Sequence, residues 1–207
     1  MSSDNRLAVH ELFKDLPRLE TPRLVMRQLT HADVEPMFAY ASDPEVSRYV
    51  SWTAHETPAE TARFIEFTLT KYRAGDVSDW AIEHRHDGRM IGTIGFVWWL
   101  PDHARVELGY AMHRNYWGQG LMSEAVAVVA AFGFARMNLN RIEARIIPAN
   151  TGSRRVLEKN GFFCEGLLRQ QARVKGRFAD FLLYSLLASD YAQRMAAAAV
   201  DLRGDHR

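Results

Sequence analysis

The stretch from Val106 to Ala125 constrains the fold more than any other part of this chain. It opens Val-Glu-Leu-Gly-Tyr-Ala-Met, continues His-Arg-Asn-Tyr-Trp-Gly-Gln-Gly, and closes Leu-Met-Ser-Glu-Ala. In the first part Val106, Leu108, Tyr110 and Met112 share one face, and Glu107, Gly109 and Ala111 share the other. That is the period of a β-strand. A tight glycine loop follows, and then the first turn of a helix. A strand that hands over to a helix through such a loop gathers several backbone N–H groups at one place. The helix start adds unpaired donors and the positive end of its dipole. Residues 115–124 are therefore expected to hold an anionic group, above all a phosphate or diphosphate.

The familiar phosphate loops do not fit. A P-loop needs G-x-x-x-x-G-K-[ST], with a lysine for the terminal phosphates, and no such string occurs. Gly118 and Gly120 begin G-x-G, but Ser123 stands where a dinucleotide fold needs a third Gly or Ala. Asp and Glu are also absent from 126–142, so no carboxylate is placed to meet a ribose.

The rest of the chain reads as alternating strands and helices. Arg23–Leu29 alternates as a strand, and a helix is expected from Ala32 to about Ala41, broken by Ser42-Asp-Pro44. Thr57-Pro-Ala-Glu60 has the form of a capped helix start, and that helix runs to Arg73 before Gly75. Asp79–His84 and Met90–Leu100 form a hairpin across His86-Asp-Gly88. The strand Arg105–Met112 and the helix Met122–Arg136 flank the loop. Arg141–Ile147 is a strand, Thr151–Asn160 a helix stopped by Gly161, and Phe163–Val174 pairs with Phe178–Leu187 across Lys175-Gly176. The alanine-rich segment Ala188–Val200 is a terminal helix, and Leu202–Arg207 is expected to be disordered. Residues 1–18 are a frayed extension or a short helix packed on the domain. The order predicts a mixed α/β sheet with helices packed on it.

Composition bounds the function. A chain of 207 residues fits one domain. Its 26 Lys and Arg balance 25 Asp and Glu, and the formal charge of +1 argues against a general nucleic-acid binder. Cys164 is the only cysteine, so no intramolecular disulfide forms and a reducing compartment suits the chain. With no secretory signal and no run of 18 apolar residues, no membrane span is expected and the cytoplasm is the default. The eight histidines show no H-E-x-x-H and no Cys/His spacing for a metal, so none is expected.

Four segments, in order, resemble the GNAT acyltransferases, and within them the branch typified by RimJ and RimL. Asn115-Tyr-Trp-Gly-Gln-Gly120 fills the family's [RQ]-x-x-G-x-[GA] frame, with Asn115 where the family has Arg or Gln. Leu19-Glu-Thr-Pro-Arg-Leu-Val-Met-Arg27 resembles the branch's opening strand. Pro148-Ala-Asn-Thr-Gly-Ser153 and Leu157-Glu-Lys-Asn-Gly-Phe-Phe-Cys-Glu-Gly166 resemble its later signatures. The resemblance spans roughly residues 19–190, leaving 1–18 as an extension and 191–207 as a terminal helix and tail.

The resemblance implies the GNAT fold: a mixed, mostly antiparallel sheet of about six to seven strands, splayed between the fourth and fifth, with about four flanking helices. It implies acetyl-CoA as cofactor and direct transfer of acetyl to a primary amine. The acceptor would be a peptide or ribosomal-protein N-terminus, or a small amine, and dimers are frequent among relatives. Carried over to this sequence, the cofactor site is Ala111, Met112, Asn115, Tyr116, Trp117, Gly118, Gln119, Gly120, Leu121, Met122, Ser123, Asn150, Ser153 and Arg154. The pantetheine arm would lie where the strands splay near Ala111 and Ile146. Asn150 would bond the arm's amides, or else simply cap a helix.

Three residues are catalytic candidates. Glu107 shares its strand face with Gly109 and Ala111, which leave room for a substrate. It is one candidate base, with a surface carboxylate as the plainer reading. Glu165 sits where the branch carries a glutamate proposed to activate the amine, with a cross-strand salt bridge as the plainer reading. Ser153 matches a serine that approaches the coenzyme sulfur, and serine is also a routine cap. The tyrosine that many relatives carry near the sulfur is missing, since Phe162 and Phe163 occupy that region. A peptide α-amine, with a pKa near 8, is already roughly a tenth neutral at pH 7 and needs only a modest base. Tyr49, Val50 and Trp52, in a loop that borders the acceptor in the family, and Trp98 are the substrate-contact candidates. Cys164 is expected to be structural, and Arg173 and Lys175 exposed. Two other functions compete: an acyl-CoA sensor without turnover, and a ribosome- or RNA-binding factor, which the charge balance disfavours.

Overall fold

The computed structural model describes residues 3–204. Helix α1 (Ser3–Lys14) precedes two short strands, β1 (Leu19–Glu20) and β2 (Leu24–Arg27). Three helices follow: α2 (Val34–Ala41), α3 (Pro44–Ser47) and α4 (Pro58–Ala74). Then come β3 (Asp79–His84), β4 (Arg89–Leu100), β5 (Arg105–Met112), α5 (Leu121–Met137), β6 (Arg141–Ile146) and α6 (Thr151–Lys159). The long hairpin β7 (Phe163–Val174) and β8 (Arg177–Leu187) leads into α7 (Ala188–Gly204).

All the strands form one sheet in the order β1-β2-β3-β4-β5-β6-β8-β7. Every neighbouring pair is antiparallel except β5 and β6. Those two pair only at Arg105–Glu107 with Arg141–Glu143. Beyond that point Leu108–Met112 and Ala144–Ile146 have no partner in each other, and the sheet splays. The two-residue β1 makes the sheet eight-stranded and moves the splay to the fifth and sixth strands. The short α3 and the terminal α1 and α7 raise the helix number above the expected four.

Strand alternation sends one face of the sheet to α1 and α5. Trp80, Phe96, Val106, Leu108 and Ile142 are buried there. The Trp80 ring meets Phe132 of α5 edge-on at 5.2 Å and Phe13 of α1 at 5.9 Å. On the opposite face, Tyr40 of α2 lies beside Thr93 of β4. A β-bulge between Phe96 and Trp98 shifts the β4 register by one residue. Trp98 therefore pairs with Glu107, and Trp99 with Val106. Trp99 packs against the core and Trp98 lies on the other face, as adjacent strand residues must.

Helix α1 is an integral part of the domain rather than a frayed extension. Val9, Phe13 and Leu16 recur at helical spacing and are buried. The His10 ring meets the Gly75 carbonyl at 2.8 Å. Gly75 ends α4 with φ +72°, and a Cβ there would lie 2.6 Å from the His10 carbonyl, so glycine is required. At the other end of α4, the Thr57 side chain makes no capping bond. Glu60 reaches back to the N–H of Glu56 instead, at 2.9 Å. Helix α7 continues through Gly204, so Leu202 to Gly204 are helical rather than disordered, and the last three residues lie outside the described part. Among the described residues no helix is long and apolar enough to cross a membrane, and no side-chain group is arranged to hold a metal ion.

Candidate active site

The loop between β5 and α5 is built as the alternation and the glycines require. Gly118 and Gly120 both adopt left-handed backbone, with φ +75° and +77°. A Cβ at Gly118 would meet nothing within 4 Å, so the backbone there is open to a ligand. The N–H groups of Gly118, Gln119, Gly120, Leu121, Met122 and Ser123 find no acceptor among the described residues. A run of unpartnered amides at a helix start is an anion cradle.

Side chains brace this loop from behind. The Arg23 guanidinium donates to the Gln119 carbonyl at 2.9 Å and to Glu124 of α5 at 2.7 Å. Trp117 donates its indole N–H to the Met112 carbonyl at 2.7 Å, and the Tyr116 hydroxyl donates to Asp87 at 2.6 Å. Gln119 donates to the Asn115 carbonyl at 2.9 Å, while the Asn115 N–H donates to His113. The backbone is left free while the side chains hold its shape.

The facing wall is the start of α6. Asn150 accepts the Ser153 N–H on its side-chain oxygen at 3.0 Å, so it caps the helix. Its oxygen is thereby committed, and only its amide N–H groups are left for a ligand. Ser153 is 8% exposed, and its hydroxyl lies 2.7 Å from that of Tyr110 on β5. Burial pushes the Tyr110 phenol well above its usual range. Tyr110 was hidden in the sequence because its strand face reads as core.

Between the two helix starts lies a cavity of about 890 Å³, within the range of small-ligand sites. Ala111, Met112, Tyr116, Trp117, Gly118, Gly120, Leu121, Met122, Ser123, Asn150 and Ser153 line it as expected. Tyr49 and Val50 line it too, together with Arg48 and Arg155, which the sequence reading missed. Asn115 and Gln119 do not line it, because they brace the loop. Arg154 does not line it and pairs with Glu158 at 3.7 Å, while its helical neighbour Arg155 does. Trp52 packs on the core beside His55, outside the cavity. Trp98 is also outside, drawn to Glu107 by an indole hydrogen bond.

The two candidate bases are not brought to the cavity. Glu107 is buried and held by Arg145, whose Nε donates to Oε1 at 3.0 Å and whose Nη2 donates to Oε2. It is thus neither a free base nor a surface carboxylate. Arg145 lies just past the last paired position of β6, so the pair ties the two strands together where they begin to part. Glu165 receives both Arg141 nitrogens, at 2.6 and 2.5 Å, and the Ser185 hydroxyl at 2.6 Å. The Arg141 guanidinium pulls its carboxyl down to about 2. This is the salt-bridge reading of Glu165. Arg105 and Arg141 also flank the buried Glu143, at 3.4 and 3.2 Å. Cys164 is a free, exposed thiol. Arg173 stacks over Phe178 at 4.7 Å, while Lys175 donates to the Ser47 carbonyl at 2.5 Å and so links the hairpin tip to α3.

Known proteins share this arrangement. The family described as acetyltransferase (GNAT) domain matches residues 23–163. The uncharacterized N-acetyltransferase p20 of Bacillus licheniformis is 37% identical over 84% of this chain and 98% of its own length. A GNAT-family acetyltransferase structure from Bacillus anthracis superposes with a TM-score of 0.74 at 26% identity, covering 83% of this chain and 98% of that one. The RimL ribosomal L7/L12 alpha-N-protein acetyltransferase, solved in complex with coenzyme A, shares the fold with a TM-score of 0.74 at 18% identity, over 83% of this chain and 98% of its own. The chain shares its fold with RimL and belongs to the GNAT acetyltransferases, as an acetyl-CoA-dependent N-acetyltransferase.

Proposed function

We propose that this enzyme acetylates an α-amino group, at the N-terminus of a peptide or protein or on a small amine of similar basicity. The observation that carries the reading is the absence of a free carboxylate at the cavity among the described residues. The two carboxylates that line it are engaged: Glu45 with Arg48 at 3.3 Å, and Glu158 with the Tyr184 hydroxyl at 2.9 Å. Glu107 and Glu165 are held in ion pairs outside it. An amine with a pKa near 8 loses its proton to water readily, whereas a lysine amine near 10.4 needs a base this site does not offer. The alpha-N-protein acetyltransferase activity named for RimL agrees with that choice.

In this reading each wall of the cavity has a task. The amides of Gly118–Ser123 hold the diphosphate, and the positive end of α5 favours its charge. The β5 edge beyond Glu107, free of β6, offers backbone groups to the pantetheine arm. Acetyl-CoA, when bound, supplies an activated thioester. Ser153 faces the place where sulfur charge builds, and Tyr49 and Arg48 border the acceptor side. The single, exposed Cys164 suits a reducing compartment, and we assign the enzyme to the cytoplasm. The homodimer implied by the resemblance is assigned to the exposed β7 edge, where Phe163 and Leu167 face solvent. A monomer in sedimentation velocity removes that assignment.

The test is an acceptor panel with acetyl-CoA, read as release of free coenzyme A thiol above the hydrolysis blank. Peptides with free N-termini are expected to react faster than peptides with blocked N-termini and free lysines. The reverse order refutes the α-amine assignment. Tight acetyl-CoA binding with no release on any acceptor favours the sensor instead.

A further inference from the structure

Tyr110 and Ser153 form a hydroxyl pair at the wall of the cavity. Tyr110 is on β5 and Ser153 on the first turn of α6, so they meet only because the sheet brings the splayed strand under that helix. Their hydroxyl oxygens are 2.7 Å apart. The Ser153 carbonyl is 3.4 Å from the phenol oxygen and lies within α6, where helical bonding already uses it. The phenol has no other acceptor among the described residues. The phenol itself lines the cavity, and either hydroxyl can donate across the 2.7 Å contact. Of the two directions, donation by Tyr110 to the nearer Ser153 Oγ is the one that keeps the Ser153 proton for the cavity.

That direction leaves the Ser153 proton unclaimed. No acceptor in the protein receives it among the described residues, and Ser153 lines the cavity. The Ser153 N–H is fixed by Asn150, so the first turn of α6 is held in place. A hydroxyl that accepts from a phenol also becomes a better donor, because chained hydrogen bonds polarise one another.

We propose that Tyr110 is the positioning residue that turns the Ser153 hydroxyl into the cavity, where it hydrogen-bonds the coenzyme A sulfur. This inference rests on the acetyl-CoA reading of the cavity. In the transfer an amide C–N bond forms, the C–S bond breaks with its electron pair going to sulfur, and the amine loses one proton to solvent. Tyr110 keeps its proton throughout, since burial disfavours its anion. Its effect is confined to the direction and strength of the Ser153 donor.

The experiment compares the wild type with Tyr110→Phe, Ser153→Ala and the double variant. The thiol pKa of bound coenzyme A is read from ultraviolet thiolate absorbance, which requires binding but no acceptor. Ser153→Ala is expected to raise that pKa by roughly one unit, and Tyr110→Phe by at least half as much. The double variant is expected to match Ser153→Ala alone, because Tyr110 acts through Ser153. Turnover on the best acceptor should fall about tenfold in Tyr110→Phe, while acetyl-CoA affinity stays within about twofold. An unchanged thiol pKa in Tyr110→Phe, or additive effects in the double variant, overturns the relay and leaves the acetyl-CoA site standing. Failure of the wild type to bind coenzyme A overturns both.

Discussion

The two sides of strand β5 treat polar groups in opposite ways. Towards the cavity, the loop that follows β5 leaves the amides of Gly118–Ser123 unpartnered among the described residues, and the proposed donation by Tyr110 leaves the Ser153 proton unclaimed. Away from it, three glutamates are matched: Glu107 with Arg145, Glu143 with Arg105 and Arg141, and Glu165 with Arg141. The first side can receive a ligand because its donors have nothing else to bind. The second side has spent its charges on holding the sheet at the point where β5 and β6 part. Residue type alone ranks the glutamates as the reactive groups; partnering ranks them last.

The largest expected effect strikes the open side. Gly120→Trp places an indole in the cradle and forces a side chain onto left-handed backbone. Acetyl-CoA affinity should fall by at least about a hundredfold in isothermal calorimetry. Unchanged affinity would show that the loop is not the anion site.

The next effect strikes the matched side. Glu107→Ala leaves Arg145 without its partner, and a loss of about 2 kcal/mol is expected after allowance for solvent around the arginine. In a chain of this size that lowers the melting temperature by roughly 4–8 °C. Glu107→Ala with Arg145→Met should recover part of the loss. A Glu107→Ala variant that keeps full stability but loses all turnover would instead make Glu107 the base.

A smaller effect separates Glu165 from catalysis. Its folded-state carboxyl lies at about 2, below the unfolded value near 4.3. The ion pair therefore adds stability above about pH 4.3, and that contribution fades as the pH falls towards 2. Between pH 6 and 9 Glu165 does not titrate, so the rising limb of kcat/KM should follow the acceptor amine near 8. Glu165→Gln should keep turnover within about threefold and leave that limb in place. A limb that moves in Glu165→Gln would return the base role to this residue. The smallest contrast lies within α6: Arg155→Ala should weaken acetyl-CoA by about threefold, whereas Arg154→Ala should leave it unchanged. Equal losses would mean that the inward position of Arg155 does not matter.

Local chemistry made half of this site legible in the sequence. The β5 alternation, the glycines at 118 and 120 and the helix start are properties of neighbouring residues, and the helix begins at Leu121, one residue before the expected Met122. The rest depends on residues far apart in the chain. Ser153 is visible as a residue, but its partner Tyr110 lies on an earlier strand, on a face that reads as plain core. Glu107 and Glu165 look free until the sheet sets Arg145 and Arg141 beside them. Helix α1 carried a signal of its own in the spacing of Val9, Phe13 and Leu16, but its docking partners lie on β3 and α5. Side-chain direction on one helix turn decides between Arg154 and Arg155, and a short polar helix leaves that open.

Amide hydrogen exchange tests the central claim most directly. If free backbone donors hold the diphosphate, adding acetyl-CoA should slow exchange at Gly118–Ser123 more than anywhere else in the chain, and Gly120→Trp should abolish that slowing. Protection that appears elsewhere while these amides exchange as before would contradict the account.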